Sequence, residues 1–351
     1  MPAPTWRWLK LNYYDLYDVE QPEAVSVEID PAAEVEAVES RDFLLKDIST
    51  GMGEDMSRIA ASSGAPVHRF TIGEQHRASS PVRMQVSYWD SSCQMVNTEL
   101  VLGKKSRMTF IMDLTSREEA SGLGASQIRY RLDDGAHLTI IQVLHASSEY
   151  CVLSDIGGEC GENSTFELVQ IVLGGKLNFL GMNSRLLGKR SSLITRLGYM
   201  LDGAGYLDVN YVADHVGRHT TCDITANGVL RDHSKKVFRG TIDFKKGCSG
   251  AVGSETEDVL IMDDECINQT IPVILCSEED VEGTHGATIG KLSEDLLFYL
   301  TSRGMDEDSV YEMMARARID SVADHIHDDM IRELISDELD DMADRRKEMQ
   351  V

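Results

Sequence analysis

From residue 67 to about residue 281 the apolar positions come in short runs rich in Val, Ile, Leu and Thr. The runs fall at 108–113, 127–132, 138–144, 166–173, 193–197, 206–212, 229–230, 236–244, 259–262 and 271–275. Most have strand length. Turn residues separate them, at Asp133 to Gly135, Gly157-Gly158, Gly174-Gly175, Gly188, Asp202 to Gly205, Gly217, Gly228, Gly240 and Gly247. The glycines Gly174, Gly188, Gly203, Gly217, Gly228 and Gly240 stand 14, 15, 14, 11 and 12 residues apart. About 215 residues of strands with almost no helix exceed an ordinary sandwich. The near-regular turn spacing predicts a stacked β-solenoid. A pair of sandwiches is the alternative that pattern alone leaves open.

The flanks differ. Residues 1–65 read as a mixed, mostly helical cap. Helical spacing over 32–46 runs through Val35, Val38, Phe43 and Leu45; Ser49 to Gly53 breaks it, and a short helix over 54–61 stops at Ser62 to Pro66. From Lys291 the apolar period becomes 3.6. One stripe holds Leu292, Leu296, Leu297 and Leu300, and a second holds Val310, Met313, Met314 and Ala317. A third holds Val322, Ile326, Met330, Ile331, Leu334, Ile335 and Leu339. The segments expected are therefore a cap over 1–65, a β core over 66–285 and a helical region over 286–351. The C-terminal stripes predict helices packed on one another, with a partner surface as the second reading.

Composition narrows the function. Apolar residues make up 42% of the 351, enough for a core. The 59 acidic and 34 basic residues give a net charge of −25, which repels nucleic-acid backbones and anionic membrane surfaces. With 6% aromatics there is no stacking platform for single strands. No apolar run approaches the ~20 residues that span a bilayer, and the start, Met1 to Trp8, lacks a signal-like apolar stretch. A cytoplasmic protein is expected. Its seven cysteines are scattered without a CxxC pair, so each is by default a small buried hydrophobe.

The chain has no phosphate loop: the Gly-Lys pairs at 103, 175, 188 and 290 lack the upstream glycine or the following Ser/Thr. Gly247 to Gly250 reads as a solenoid turn. GxSxG, HExxH and EF-hand patterns are absent. Most of the ten histidines are isolated, and His325 and His327 face apart on a helix. His285 differs, because Cys276, Glu282 and His285 follow one another across a single charged turn, Ser277 to Asp280. If that turn folds the second strand back, thiolate, carboxylate and imidazole meet. Such a donor set suits iron or zinc but is too small to close a structural zinc site. The plainer reading makes Cys276 core, Glu282 solvated and His285 a helix cap.

The same stretch carries a family likeness. Thr284-His-Gly-Ala-Thr-Ile-Gly290 followed by Leu292-Ser-Glu-Asp-Leu-Leu-Phe-Tyr-Leu-Thr-Ser-Arg-Gly304 resembles the signature of the SufB/SufD family of iron–sulfur cluster assembly scaffolds, and Phe238-Arg-Gly-Thr-Ile242 resembles its F-R-G strand. The resemblance implies a mainly β fold, a right-handed parallel β-helix between helical segments. It also implies a complex with a SufC-like ABC ATPase through the C-terminal helices. The SufB branch carries a Gln-Cys-Asp stretch where this chain reads Thr256-Glu257-Asp258, and Glu-His-Glu where it reads Thr284-His285-Gly286. The His-Gly pattern sides with SufD, while the short chain looks like the single-scaffold, SmsB-like branch expected to pair with itself. His285 carries over directly; Cys276 and Glu282 rest on chemistry and proximity. The expected function is a non-enzymatic scaffold holding a transient iron–sulfur cluster at Cys276, Glu282 and His285 for apo recipient proteins, as a homodimer. The rivals are a SufD-like architectural partner of a separate SufB, and a β-solenoid enzyme acting on polysaccharide.

Overall fold

The computed structural model describes residues 22–117 and 119–349; residues 1–21 of the expected cap, with its Met1 to Trp8 start, lie outside them. The core is a parallel β-solenoid. Strands alternate between a ten-stranded and a nine-stranded sheet, and each pairs in parallel with the strand two before it. Leu177 stands beside Tyr206, and Tyr206 beside Lys235, so a full coil takes 29 residues here. The glycine steps of 14 and 15 are half-coils. At the stacked corners a side chain has no room: a Cβ on Gly188 would lie 2.0 Å from the Glu162 nitrogen, and one on Gly217 would lie 2.5 Å from the Gly188 oxygen. Gly157, Gly158, Gly228 and Gly240, also expected in turns, stand inside strands. Gly158 makes room for the Tyr130 ring, Gly228 for Tyr199 and Gly240 for the Glu255 carboxyl.

The lumen between the sheets is filled by alternate side chains of every strand. Aromatic pairs span it, including Phe70–Phe110 and Tyr130–Phe166 with centroids 5.3 and 4.1 Å apart.

The expected helix over 32–46 is a strand instead. Val35–Ser40 runs antiparallel to Val67–Ile72, and Val27–Asp30 runs antiparallel to Val82–Tyr88. Tertiary pairing overrides the local period, because these segments cover the first edges of the two sheets. The short helix is present as α1 (Glu54–Ser62). With Met52 it seals a small apolar cluster, including Cys93, Cys151 and Phe179, on the outside of the ten-stranded sheet.

The C-terminal part forms α2 (Glu294–Thr301), α3 (Glu307–Ala323) and α4 (Asp329–Met349). Ser293 caps α2 by accepting from the Leu296 N–H at 3.3 Å. These helices do more than pack on one another. Val310, Ala315, Ile319, Ile331 and Ile335 share one cluster with Ile141, Val169, Ile171 and Val229 on the outer face of the nine-stranded sheet. The face of α3 is rotated from the expected stripe: Tyr311 and Ala315 are buried while Met313 is exposed. Among the described residues no helix is long and apolar enough to cross a membrane.

Candidate functional site at the open end of the solenoid

The last coil is built from the strands Ile267–Cys276 and Val281–Gly290. They occupy opposite sheets and are the terminal strands of each. The turn Ser277 to Asp280 therefore makes a solenoid corner, not the hairpin that would fold one strand onto the other. Cys276 ends the first strand in register with Phe244, on the lumen side. His285 stands in register with Glu255, also on the lumen side, and Glu282 in register with Val252, on the outside. The period of two along a strand thus puts Cys276 and His285 on the inner face and Glu282 on the outer one. Among the described residues no three His, Cys, Asp or Glu side chains converge as a metal site.

All three residues are exposed, as is nearly all of the final strand. Cys276 is the one exposed cysteine of the seven. Its thiol donates to the Glu278 carbonyl at 3.0 Å. Burial pushes Cys93 up to about 11 and Cys151, Cys160 and Cys222 up to about 12, which leaves them protonated and inert.

One coil inside the mouth lies a polar cluster that sequence reasoning missed. Lys236 and Glu257 are fully buried and form an ion pair across the lumen. Thr270 donates to Glu257 at 2.6 Å and Tyr199 at 3.4 Å, while Lys236 also donates to Thr270 at 3.1 Å. Burial pulls the Lys236 ammonium down, and the Glu257 charge opposes that pull. Beside them Glu255 is pushed up to about 8, by burial and then by the Glu257 charge. The signal available was an odd one: two glutamates two apart in a strand, so both facing inward.

The motif Phe238-Arg-Gly now has a physical account. Phe238 points into the lumen. Arg239, buried on the other face, pairs with Asp208 and donates to the Val209 carbonyl at 3.2 Å. Gly240 leaves room for Glu255, whose carboxyl carbon would lie 2.4 Å from a Cβ there.

Two of the other histidines are packed into the fold. His215 is buried against Phe244 with its Nδ1 2.7 Å from the Thr220 hydroxyl, and burial lowers it to about 4. His145 bridges Asp113 and, on α4, Glu338.

Helix α2 follows the last strand and buries none of its residues. Phe298 is 76% exposed and Tyr299 49%. The His-Gly-Ala-Thr strand and the Leu-Phe-Tyr-Leu helix thus form a surface, which core packing alone does not require.

A family model described as SUF system FeS cluster assembly, SufBD core domain, matches residues 83–318. An iron–sulfur cluster assembly SufBD family protein of Staphylococcus saprophyticus is 32% identical over 160 residues, covering 45% of this chain and 34% of that protein. The iron–sulfur cluster assembly protein SufB of Bacillus subtilis is 27% identical over 198 residues, covering 52% of this chain and 42% of its own length. The match therefore spans well under half of either relative. Since the family model covers more than half of the chain, from the strand Val82–Tyr88 into α3, the protein belongs to the SufBD family of iron–sulfur cluster assembly proteins.

Proposed function

We propose that this chain is a scaffold on which an iron–sulfur cluster is assembled, held briefly and passed to apo recipient proteins. The observation that carries the reading is that the one exposed cysteine ends the uncapped coil that bears the family's signature residues. Cys276 supplies a thiolate and His285 an imidazole from the same face; Glu282 stands at the rim on the other. A mixed set of this kind retains a cluster less firmly than four thiolates, as handing it on requires.

Two partners follow. The terminal strands leave a row of backbone donors and acceptors unpaired, and Ile274 and Ile289 on the lumen side are 36% and 41% exposed. A second copy of the chain, meeting this end across a two-fold axis, covers them and brings two Cys276 thiols together. The second partner is a SufC-like ABC ATPase, since the sequence holds no phosphate loop. It docks on residues 293–340, where Phe298, Tyr299, Met313 and Met330 are exposed. The setting is cytoplasmic, where thiols stay reduced.

The test is anaerobic reconstitution with iron and sulfide. Wild type gains a visible charge-transfer band, and Cys276→Ser loses most of it. His285→Ala weakens retention about 10- to 100-fold, the usual scale for a lost supporting group. A full-strength band in folded Cys276→Ser refutes the assignment. For the ATPase, Phe298→Asp is the suitable variant, because deleting the helices would strip the nine-stranded sheet of its cover. Undiminished ATPase binding by that variant counts against this docking surface.

One observation favours a second reading, an architectural partner of a separate SufB. Glu257 occupies the place where the SufB branch resembled by this chain has a cysteine, and it is engaged by Lys236. On that reading the chain alone takes up no cluster and gains one only after a SufB is added.

A further inference from the structure

The corner that carries Cys276 is fastened to the corner of the preceding coil. The Ser277 N–H donates to the Phe244 carbonyl at 2.8 Å and the Gly250 N–H to the Asp280 carbonyl at 2.7 Å. The Gly247 N–H donates to the Glu278 carboxylate at 2.9 Å, and the Ser249 hydroxyl to Asp280 at 2.8 Å. Cys248 lies in the middle of that lower corner. Its own N–H is turned to the Lys245 carbonyl at 3.2 Å, and its carbonyl accepts from Ala251 at 3.0 Å. Its side chain belongs to the same lumen core as Phe244, the residue beside which Cys276 stands in register. Burial and then the Glu278 carboxylate raise the Cys248 thiol.

We propose that Cys248 and Cys276 form a two-thiol site for a soft, thiophilic cation at the open corner of the solenoid. This deepens the scaffold reading and rests on it for biological purpose, making Cys248 a second sulfur donor to the iron of the assembling cluster. No other thiol is so placed. Cys93 and Cys151 also neighbour each other but are sealed beneath α1. Cys160 lies near the Ser184 hydroxyl, and Cys266 donates to the Asp232 carbonyl at 3.5 Å.

The corner's charge explains why such a pair stays quiet without metal. Asp214 and Asp243 pair with Lys245 beside this corner, Glu278 and Asp280 lie on it, and Asp243 and Glu278 both disfavour the Cys248 thiolate. A divalent cation replaces two thiol protons, forms two metal–sulfur bonds and leaves the pair neutral, with two protons released to solvent.

Phenylarsine oxide, which closes a ring on two neighbouring thiols, tests the site on the full-length reduced protein. Wild type binds one equivalent tightly. Cys248→Ser and Cys276→Ser each weaken binding by at least about 100-fold, and Cys266→Ser leaves it unchanged. Peptide mapping of arsenical-bound wild type places the probe on Cys248 and Cys276, which decides the matter even if Cys248→Ser fails to fold. Probe on any other pair, or wild-type affinity in folded Cys248→Ser, overturns the proposal. Iron–sulfide reconstitution separates it from the scaffold reading. Arsenical binding at both thiols with no cluster uptake refutes the scaffold alone. A cluster that needs Cys276 but is full in Cys248→Ser, while wild type binds the arsenical at both thiols, refutes the second donor alone.

Discussion

The two ends of the solenoid are made of the same strands and finished in opposite ways. At the first end, Val35–Ser40 and Val27–Asp30 lie antiparallel on the starting strands and close both sheet edges. The chain beyond them is anchored by Glu99, fully buried, which accepts from the Leu44 and Leu45 N–H groups at 3.1 and 2.6 Å and from Arg69 at 2.9 Å. At the last end neither of the two final strands has a neighbouring strand on its outer side among the described residues, and residues that would be lumen elsewhere are exposed. An open parallel edge with apolar side chains is an aggregation hazard that folds ordinarily cover. Here the fold covers one end with its own chain, and among the described residues no strand covers the other. The family's signature residues lie at the end left open.

The closed end should therefore be the more costly to damage. Glu99→Ala removes a buried carboxylate from Arg69 and two backbone donors. Loss of one member of such a network costs about 3–5 kcal/mol. A large drop in denaturation midpoint is expected. An unchanged midpoint would mean that the closure does not depend on this anchor.

The flank between the two ends has its own control. Burial alone would lower His145, but its hydrogen bonds to Asp113 and Glu338 outweigh that and raise it to about 9. A histidine raised in the folded state contributes stability that is fully present below about 6.5 and is lost as pH rises through 9. The gap corresponds to about 3 kcal/mol at most. Raising pH through that range should loosen α4 from the nine-stranded sheet while leaving the solenoid ends intact. Faster hydrogen exchange confined to α4 would show it. His145→Gln should abolish the pH dependence, and a dependence that survives would point to another group.

At the open end, Ile289→Lys together with Ile274→Lys places charges on the lumen side of the mouth. Self-association should weaken by at least about 100-fold, near 2.7 kcal/mol. Light scattering reads the change, with circular dichroism as the control for folding. Val38→Lys, an equally exposed apolar site at the closed end, should leave association as it was. Equal effects at both ends would remove the distinction between them.

The solenoid and its corners were legible in the sequence because a 29-residue coil repeats its glycines and its short apolar runs at half-coil intervals. The closure of the first end was not. Val35 and Val38 also fit a helical period, and the edge that claims them as a strand begins at Val67, a long way off in sequence. His285 was singled out through a motif and Cys276 through its nearness across one charged turn, yet that turn gave no sign of whether the strands would pair or part. Gly228 and Gly240 misled for a related reason. Glycine marks a turn when the backbone must bend, and equally a strand position where a tyrosine or a glutamate fills the lumen opposite.

The smallest expected effect distinguishes the two faces of the final strand. Glu282 and His285 are both exposed and only three residues apart, so sequence distance gives them equal standing. Register does not: His285 shares the lumen face with Glu255, whereas Glu282 aligns with Val252 outside. A group on the outer face reaches the thiol side only around the strand edge. Glu282→Ala should therefore reduce cluster retention less than tenfold, about 1.4 kcal/mol or below, and less than His285→Ala does. Competition with an iron chelator after reconstitution measures both losses under one condition. If Glu282→Ala is instead the more damaging, the carboxylate is being brought to the thiols from a second copy across the open end. The loss should then vanish in the Ile274→Lys, Ile289→Lys background, where no second copy is bound.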